Sequence, residues 1–482
     1  MSPLSICIVD APPWSGFSRL KRLLVNAGHR VTVLCEESRP PAESGVTIAE
    51  LPSRLAYPTL SSKDSFRSYQ AYEWLRSRDG EFDVVHLSSE LGTGYFALTA
   101  KRQGLAFAKT VLAVHVAAME STHRELQLHK TEDLERDFME GRSVAFADTV
   151  IAESGGVLEG VARRRGWDLP ASLTVIADEQ RCLDWHSRAG LAGEEPVSSE
   201  GHVGTEPLVS VCVTHFNRSH YVRQAIGSVL AQSYPNCEVV LVDDASTDPQ
   251  ALECLGALEG ELGPSRLRIV RHETNRYLGA ARNTAARVAR GDYLLFLDDD
   301  DLAKKDLVST LVSVAERTRA DVVTSFVDFF SSEGNPASGQ RPDGRWIVLG
   351  PALSAGVFRN DFGCATALFR KSSFDELGGY TEDHGVGHED WELYARAAVR
   401  GYRLEVVPEA LVWYRKKPES MLASTSRYLN HMRHLRPYRE EAMPGGLREL
   451  VEYGLGLHFL ETELFEARER LARRTPTDLE CM

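Results

Sequence analysis

The feature that most constrains the fold is alternation: short apolar runs take turns with segments of helical period along most of the chain. ICIV (6–9), VTVL (31–34), DVVHL (83–87), TVLAVHV (110–116), TVIA (149–152) and LTVI (173–176) read as buried strands. Between them Ser18 to Ala27, Asp64 to Arg78, Ala97 to Gly104, Leu134 to Ala147 and Val157 to Arg165 carry helical spacing. Such repetition implies a parallel sheet covered on both faces, so the expected class is α/β, opening with a Rossmann-like doubly wound domain.

The alternation breaks at Ala189 to Pro207, AGLAGEEPVSSEGHVGTEP, which has no apolar period and reads as an exposed linker. With 482 residues, and roughly 100–200 residues per domain, at least two cores are expected. A second unit follows. PLVSVCVTHFN, CEVVLVDDAS, LRIVRH and YLLFL read as its strands, and residues 221–230 and 280–289 as helices. VVTSFVDFF, CATALF and LEVVPEALVWYR add further strands, HEDWELYARAAVRG a helix, and Leu447 to Arg474 an amphipathic helical tail ending in ARERLARR. That basic run suits a solvated helix face and leaves contact with a membrane surface open.

Four of these strands end on polar or acidic residues: Thr214, Asp243 with Asp244, His272, and Asp298 to Asp301. In open α/β sheets ligands bind at the carboxyl ends of the strands, so these groups should converge on one crevice. Four adjacent carboxylates repel one another and call for compensating positive charge. At a strand end Asp298 and Asp300 can share a side, which suits a hard divalent ion, Mn²⁺ or Mg²⁺. A solvated acidic loop or a helix cap accounts for DDDD alone equally well. The acids of VDDAS and of GHEDWEL favour a site: one pair for a nucleotide, one for a metal, one to move a proton.

PLVSVCVTHFNRSHYVRQAIGSVLAQSYPNCEVVLVDDASTD, NRYLGAARNTAARVARGDYLLFLDDDDL and ELGGYTEDHGVGHEDWELYARAAVRGY together resemble family 2 glycosyltransferases of the GT-A fold. The resemblance implies inverting transfer from a nucleoside-diphosphate sugar, usually UDP-linked, to an acceptor hydroxyl. It implies nucleotide binding by Thr214, Asp243, Asp244, Arg276, Arg282, Asp298 and Asp299. Asp298 and Asp300 match the family's DxD, with Asp300 expected as the direct metal ligand and Asp301 its rival; Asp299 is expected to tolerate replacement. Asp390 matches the catalytic base, with His388, Glu389 and Trp391 on the acceptor side. Where many relatives carry a metal-binding histidine after the YR pair, this chain has Lys417, which suits either a diphosphate contact or a solvated loop.

The first unit resembles the amino-terminal half of family 4 glycosyltransferases of the GT-B fold, through SGFSRLKRLLVNAGHRVTVL, FDVVHLSSELGTGYFALTAKRQG, VLAVHVA and ADTVIAESGGVLEGV. That resemblance implies acceptor binding, domain packing or partner recognition, or a second activity with His115 and Glu153 as the residues to watch; Gly16 suits a ligand loop or a plain turn. The expected division is 1–186 Rossmann-like, 187–206 linker, 207–425 GT-A catalytic domain and 426–482 helical extension.

A formal charge of −14 argues against nucleic-acid partners. No run approaches a membrane span and MSPLSICIVD lacks a signal-peptide layout, so a cytoplasmic protein is expected, with peripheral contact at the inner membrane face left open. The eight cysteines contain no CxxC pair and read as reduced thiols. Expected acceptors are a glycan, lipid-linked, protein or small-molecule hydroxyl, and a homo-oligomer is left open. The competing readings are a non-catalytic sugar-nucleotide-binding scaffold and a bifunctional two-site transferase or polymerase.

Overall fold

A computed structural model of the chain describes residues 3–10, 17–36, 44–51, 57–116, 131–152, 155–170, 173–176, 185, 206–417, 425–442 and 456. The first sheet holds β1 (Ser5–Asp10), β2 (Arg30–Cys35), β3 (Val46–Glu50), β5 (Val84–Ser88), β6 (Val111–Val116), β7 (Thr149–Ala152) and β8 (Val175–Ile176), while β4 (Thr59–Leu60) lies elsewhere. Its order is β3-β2-β1-β5-β6-β7-β8, all parallel. The connecting helices are α1 (Phe17–Asn26), α2 (Lys63–Arg76), α3 (Tyr95–Gln103), α4 (Thr131–Phe146) and α5 (Gly155–Arg165). Local chemistry sets their ends: Ser62 caps α2 by accepting from the Ser65 amide, and Gly104, at φ 74°, closes α3 in the left-handed region.

The second sheet is mixed. It contains β9 (Val209–His215), β10 (Cys237–Asp243), β11 (Leu267–Arg271), β12 (Tyr293–Asp298), β13 (Leu302–Ala303), β14 (Val322–Phe330), β15 (Gly344–Trp346), β16 (Leu368–Arg370) and β17 (Leu404–Arg415). The order is β11-β10-β9-β12-β16-β14-β15-β4, with β17 beside β14 and β13. Its helices are α6 (Ser219–Leu230), α7 (Pro249–Leu262), α8 (Tyr277–Val288), α9 (Leu307–Thr318), α10 (Lys371–Leu377), α11 (Glu389–Val399) and α12 (Arg427–His434).

β4, from the first 60 residues, pairs with β15, so the second sheet is finished by a strand of the first unit. All nine residues of β14 are buried, which demands cover on both faces. Val323 and Val327 pack into the core under α9, while Phe326 turns the other way onto Tyr69 and Phe96 at 5.6 and 5.2 Å between ring centres. Gln103 donates to the Val406 carbonyl at 2.8 Å, Arg102 pairs with Glu405 at 2.6 Å, and Tyr95 donates to the Leu349 carbonyl.

One polar contact in this seam is pH-sensitive. Arg359 holds both Glu135 of α4 (2.8 Å) and Asp361 (2.7 Å), and each carboxylate keeps a second, buried oxygen without a partner. Burial, then repulsion from Asp361, pushes Glu135 up to about 7. A carboxyl raised in the folded state stabilises it fully below the ordinary carboxylate range and loses that contribution as pH rises through about 7. Glu135→Gln, a mimic of the protonated form, is therefore expected to stabilise the chain by about 1–2 kcal/mol at pH 8 and by progressively less towards pH 5. Urea melts at the two pH values measure this; equal effects at both would refute it.

The six described cysteines are free, as expected, while Cys182 and Cys481 lie outside the described residues. So do most of the predicted linker and, Gly456 apart, the predicted tail helix 447–474. No helix among the described residues is long and apolar enough to cross a membrane.

Candidate functional site

The parallel register brings the predicted strand ends side by side. Asp298 of β12 lies opposite Thr214 of β9, and Asp243 of β10 lies opposite His215. The rim is also where the backbone is strained: Asn217, Ala245, Tyr277 and His388 account for four of the seven non-glycine residues with positive φ among those described. Such conformations persist where surrounding contacts over-determine them, and they concentrate at functional sites.

The four aspartates avoid mutual repulsion by taking different partners. Asp298 Oδ1 accepts from Arg282 at 2.7 Å. Asp299 accepts from Arg218 at 3.1 Å and sits 2.7 Å from Nδ1 of His215. Asp300 Oδ2 meets both Arg218 (3.0 Å) and Lys417 (2.9 Å), and Asp301 accepts from the Arg415 amide at 3.0 Å. Arg415 also donates to the Asp300 carbonyl and lies over the rings of Tyr221 and Phe330, pinning the acidic loop to β17.

Two expectations change here. Asp299 lies inside the protein rather than open on the rim: it is buried, and both its oxygens are engaged by His215 and Arg218, which argues against tolerance of replacement. Asp301 is not a rival metal ligand, because its side chain is 3% exposed beneath β17, where burial and then the Asp300 charge push its carboxyl well up. Asp298 and Asp300 remain at the rim. Each keeps one carboxylate oxygen clear of the arginines and the lysine, Oδ2 on Asp298 and Oδ1 on Asp300, and oxygen donors of this kind suit a hard divalent cation.

At the end of β10, Asp244 is buried and accepts from the Arg276 and Tyr277 amides (2.8 and 2.7 Å), with His272 Nδ1 2.7 Å away. It caps the start of α8 and retains one of about four lone-pair sites for a ligand N–H. Asp243 accepts from the Ser246 amide at 3.1 Å. Thr214 Oγ1 is buried without a partner, an orphan donor beside Asp298. Arg276 stays half exposed, paired with Glu382 at 2.8 Å.

Arg282 departs from its predicted contact with the nucleotide. Its side chain is 1% exposed, lies over the Tyr380 ring, and spends one terminal nitrogen on Asp298 and the other on Glu389, both at 2.7 Å. It is a strut between the acidic rim and the start of α11. Glu389 is thereby withdrawn from the acceptor side, and so is Trp391, which is buried, donates to the Gly356 carbonyl and stacks on His434 at 3.6 Å. His388 turns towards α12, its Nδ1 3.1 Å from Nδ1 of His434.

Asp390 lies in the first turn of α11, while Glu392, the third acid of GHEDWEL, is paired with Arg433 and Arg436. Asp390 Oδ1 accepts from the Trp391 amide at 2.7 Å, and burial followed by the Glu389 charge pushes its carboxyl up to about 7. A carboxylate poised near neutral pH can both take and give up a proton.

Two segments of the chain match known family models. Residues 210–378 match the Glycosyl transferase family 2 model. Residues 17–177 match that of Glycosyltransferase Family 4, in the order expected from the sequence. Within the curated relatives, the chain is similar to Glycosyltransferase GlyG of Streptococcus pneumoniae serotype 4, at 32% identity over 27% of this chain and 42% of GlyG. Amylovoran biosynthesis glycosyltransferase AmsB of Erwinia amylovora is 27% identical over 42% of this chain and 68% of AmsB. The crystal structure of S. aureus TarS 1–349 in complex with UDP-GlcNAc overlaps 53% of this chain and 73% of that one, at 20% identity and a TM-score of 0.42. The chain spans 18–63% of the length of the first four curated relatives.

His215, Arg218, Glu382 and Arg415 contact the acidic strand ends or the arginines beside them, and the sequence reading does not single them out. Arg218 had a readable signal, since it is the first cation after β9 in THFNRSH. The others are brought in by tertiary packing. In the family 4 segment His115 is buried, its Nε2 2.8 Å from Nδ1 of His86, while Glu153 and Gly16 lie outside the described residues.

Proposed function

We propose that the chain is an inverting glycosyltransferase that moves a sugar from a nucleoside-diphosphate sugar, UDP-linked, to an acceptor hydroxyl in glycan or glycoconjugate synthesis. One observation carries this reading: a single buried guanidinium, Arg282, ties the DxD carboxylate Asp298 to Glu389, the neighbour of Asp390, through two 2.7 Å bonds. Donor and base elements are thereby held at fixed spacing, which a passive scaffold has no need to maintain.

The nucleoside lies against Thr214, Asp243 and Asp244, whose partly used carboxylate accepts a base N–H. The diphosphate runs along the rim towards Lys417 and Arg218, cations that leave Asp300 for phosphate oxygens as the donor enters. Asp298 and Asp300 would hold Mn²⁺ or Mg²⁺ through their remaining oxygens. When bound, that cation offsets the negative charge developing on the leaving diphosphate. Asp390 takes the acceptor proton, and displacement from the face opposite the leaving group inverts the anomeric carbon. The family 4 segment, bolted to the second sheet through β4, α2 and α3, serves as a packing and acceptor-side element.

Release of nucleoside diphosphate from UDP-, GDP- and dTDP-sugars, with Mn²⁺ and a panel of acceptors, tests the reading. Asp300→Ala is expected to cut release from the preferred donor by about 10²-fold or more, as removal of a charge-stabilising group does elsewhere. Equal release by wild type and Asp300→Ala would leave the scaffold reading in its place.

A further inference from the structure

We propose that His388, His431 and His434 form a binding site for one borderline transition-metal ion of the Zn²⁺ class, separate from the aspartate rim, that clips α12 onto the first turn of α11. This stands apart from the proposed glycosyl transfer and survives if that reading fails.

The three imidazoles form a nearly equilateral triangle, with ring centres 5.2 Å (His388–His431), 5.1 Å (His431–His434) and 5.3 Å (His388–His434) apart. Tetrahedral coordination predicts this size. With metal–nitrogen bonds of about 2.0–2.1 Å and the ring centre roughly 1.1 Å beyond the nitrogen, rays at the tetrahedral angle put ring centres about 5.2 Å apart. One nitrogen from each ring can be chosen so that all three lie within 4.8 Å of one another. Nδ1 of His388 and Nδ1 of His434, 3.1 Å apart, already stand near the roughly 3.3 Å that tetrahedral ligands require, and the His431 ring has to close on them.

The tautomer at His434 is fixed by its surroundings. Its Nε2 lies 3.2 Å from the Val357 carbonyl, which can only accept, so Nε2 carries the proton and Nδ1 presents its lone pair, 3.1 Å from Nδ1 of His388. Metal-bound histidines are commonly oriented in this way, by donating the distal N–H to a backbone carbonyl. The Trp391 ring, parallel to His434 within 2°, holds the imidazole plane.

The backbone is arranged for the same end. His431 and His434 stand three residues apart on α12, on one face. His388 caps α11 at φ 61°, a left-handed conformation that costs free energy without a glycine and turns its ring towards α12. The site is built before any ion arrives: Asn430 accepts from the Gly387 amide at 2.7 Å, and buried Arg433 bridges Glu392 (2.8 Å) and the Val386 carbonyl. Three nitrogen donors favour Zn²⁺, Cu²⁺, Ni²⁺ or Co²⁺ over Mg²⁺, the opposite preference to the carboxylate oxygens of Asp298 and Asp300. A fourth position is left for water or another small ligand.

The test uses the full chain, without a histidine tag, stripped by chelator and titrated with Co²⁺. Intense visible d–d bands of four-coordinate Co²⁺ are expected to saturate at one equivalent, to be displaced by Zn²⁺ and to persist in excess Mg²⁺. Asp300→Ala should keep the bands, whereas His431→Asn and His434→Asn should weaken Co²⁺ binding at least tenfold. His431 is only partly buried, so its variant decides the matter if His434→Asn misfolds, and circular dichroism of the chelated proteins controls for fold. Wild type without these bands, or a His431→Asn titration superimposable on wild type, overturns the proposal.

Discussion

Asp390→Asn is expected to lower kcat by about 10²–10⁴-fold while leaving the donor KM within a few fold, the pattern of a group needed only in the transition state. The substitution is chosen to isolate proton transfer. Asparagine keeps the shape and the carbonyl that accepts from the Trp391 amide, so the first turn of α11 should remain in place. What disappears is the proton acceptor. Glu389→Gln is the informative companion, because Glu389 is 5% exposed and committed to Arg282. Its loss should register in stability as much as in rate. Initial rates of diphosphate release, with both variants at matched fold, measure the difference. Full activity in Asp390→Asn alongside an inactive but folded Glu389→Gln would move the base to Glu389.

The second large effect concerns Arg282→Met. Breaking a buried ion pair from one side typically costs about 3–5 kcal/mol, because the abandoned partners keep their desolvated charge. Here two carboxylates, Asp298 and Glu389, are abandoned together. Arg282→Lys is expected to recover only part of the loss, since one ammonium cannot reproduce the planar fork that reaches both acids at 2.7 Å. Urea unfolding gives the stability, and diphosphate release shows whether the surviving folded fraction still works. A loss below about 1 kcal/mol in Arg282→Met would mean that Arg282 does not bridge the two acids as described.

The α/β class and most strands of both sheets were legible because buried parallel strands are nearly continuous apolar runs. Elements with weak signals were passed over, and so was α9, although seven of its twelve residues are buried. β3 is half exposed, β4 is two residues long, and α7 buries only Ala251, Leu255 and Leu258. At the site, sequence placed Thr214, Asp243 and Asp298 on one rim, since the order of strands and their acidic ends survives folding. It carried no sign of the partners that Asp299, Asp301 and Arg282 take inside the protein. Which of four successive aspartates meets water depends on where His215, Arg218 and Arg415 arrive, and Arg415 is 114 residues from Asp301 along the chain. Spacing alone carries no record of that.

The attachment of β4 to β15 bears on how the chain comes to be made. Tyr69 meets Arg345 across 276 residues, and the pairing of β4 completes a sheet whose other strands emerge much later from the ribosome. Until then β4 has no sheet to join, and β15, once made, is an open edge with unpaired N–H and C=O groups. The segment from 207 onward, made alone, would expose that edge together with the Phe326 face of β14. Pairing with β4 therefore covers an edge that would otherwise be open to other chains.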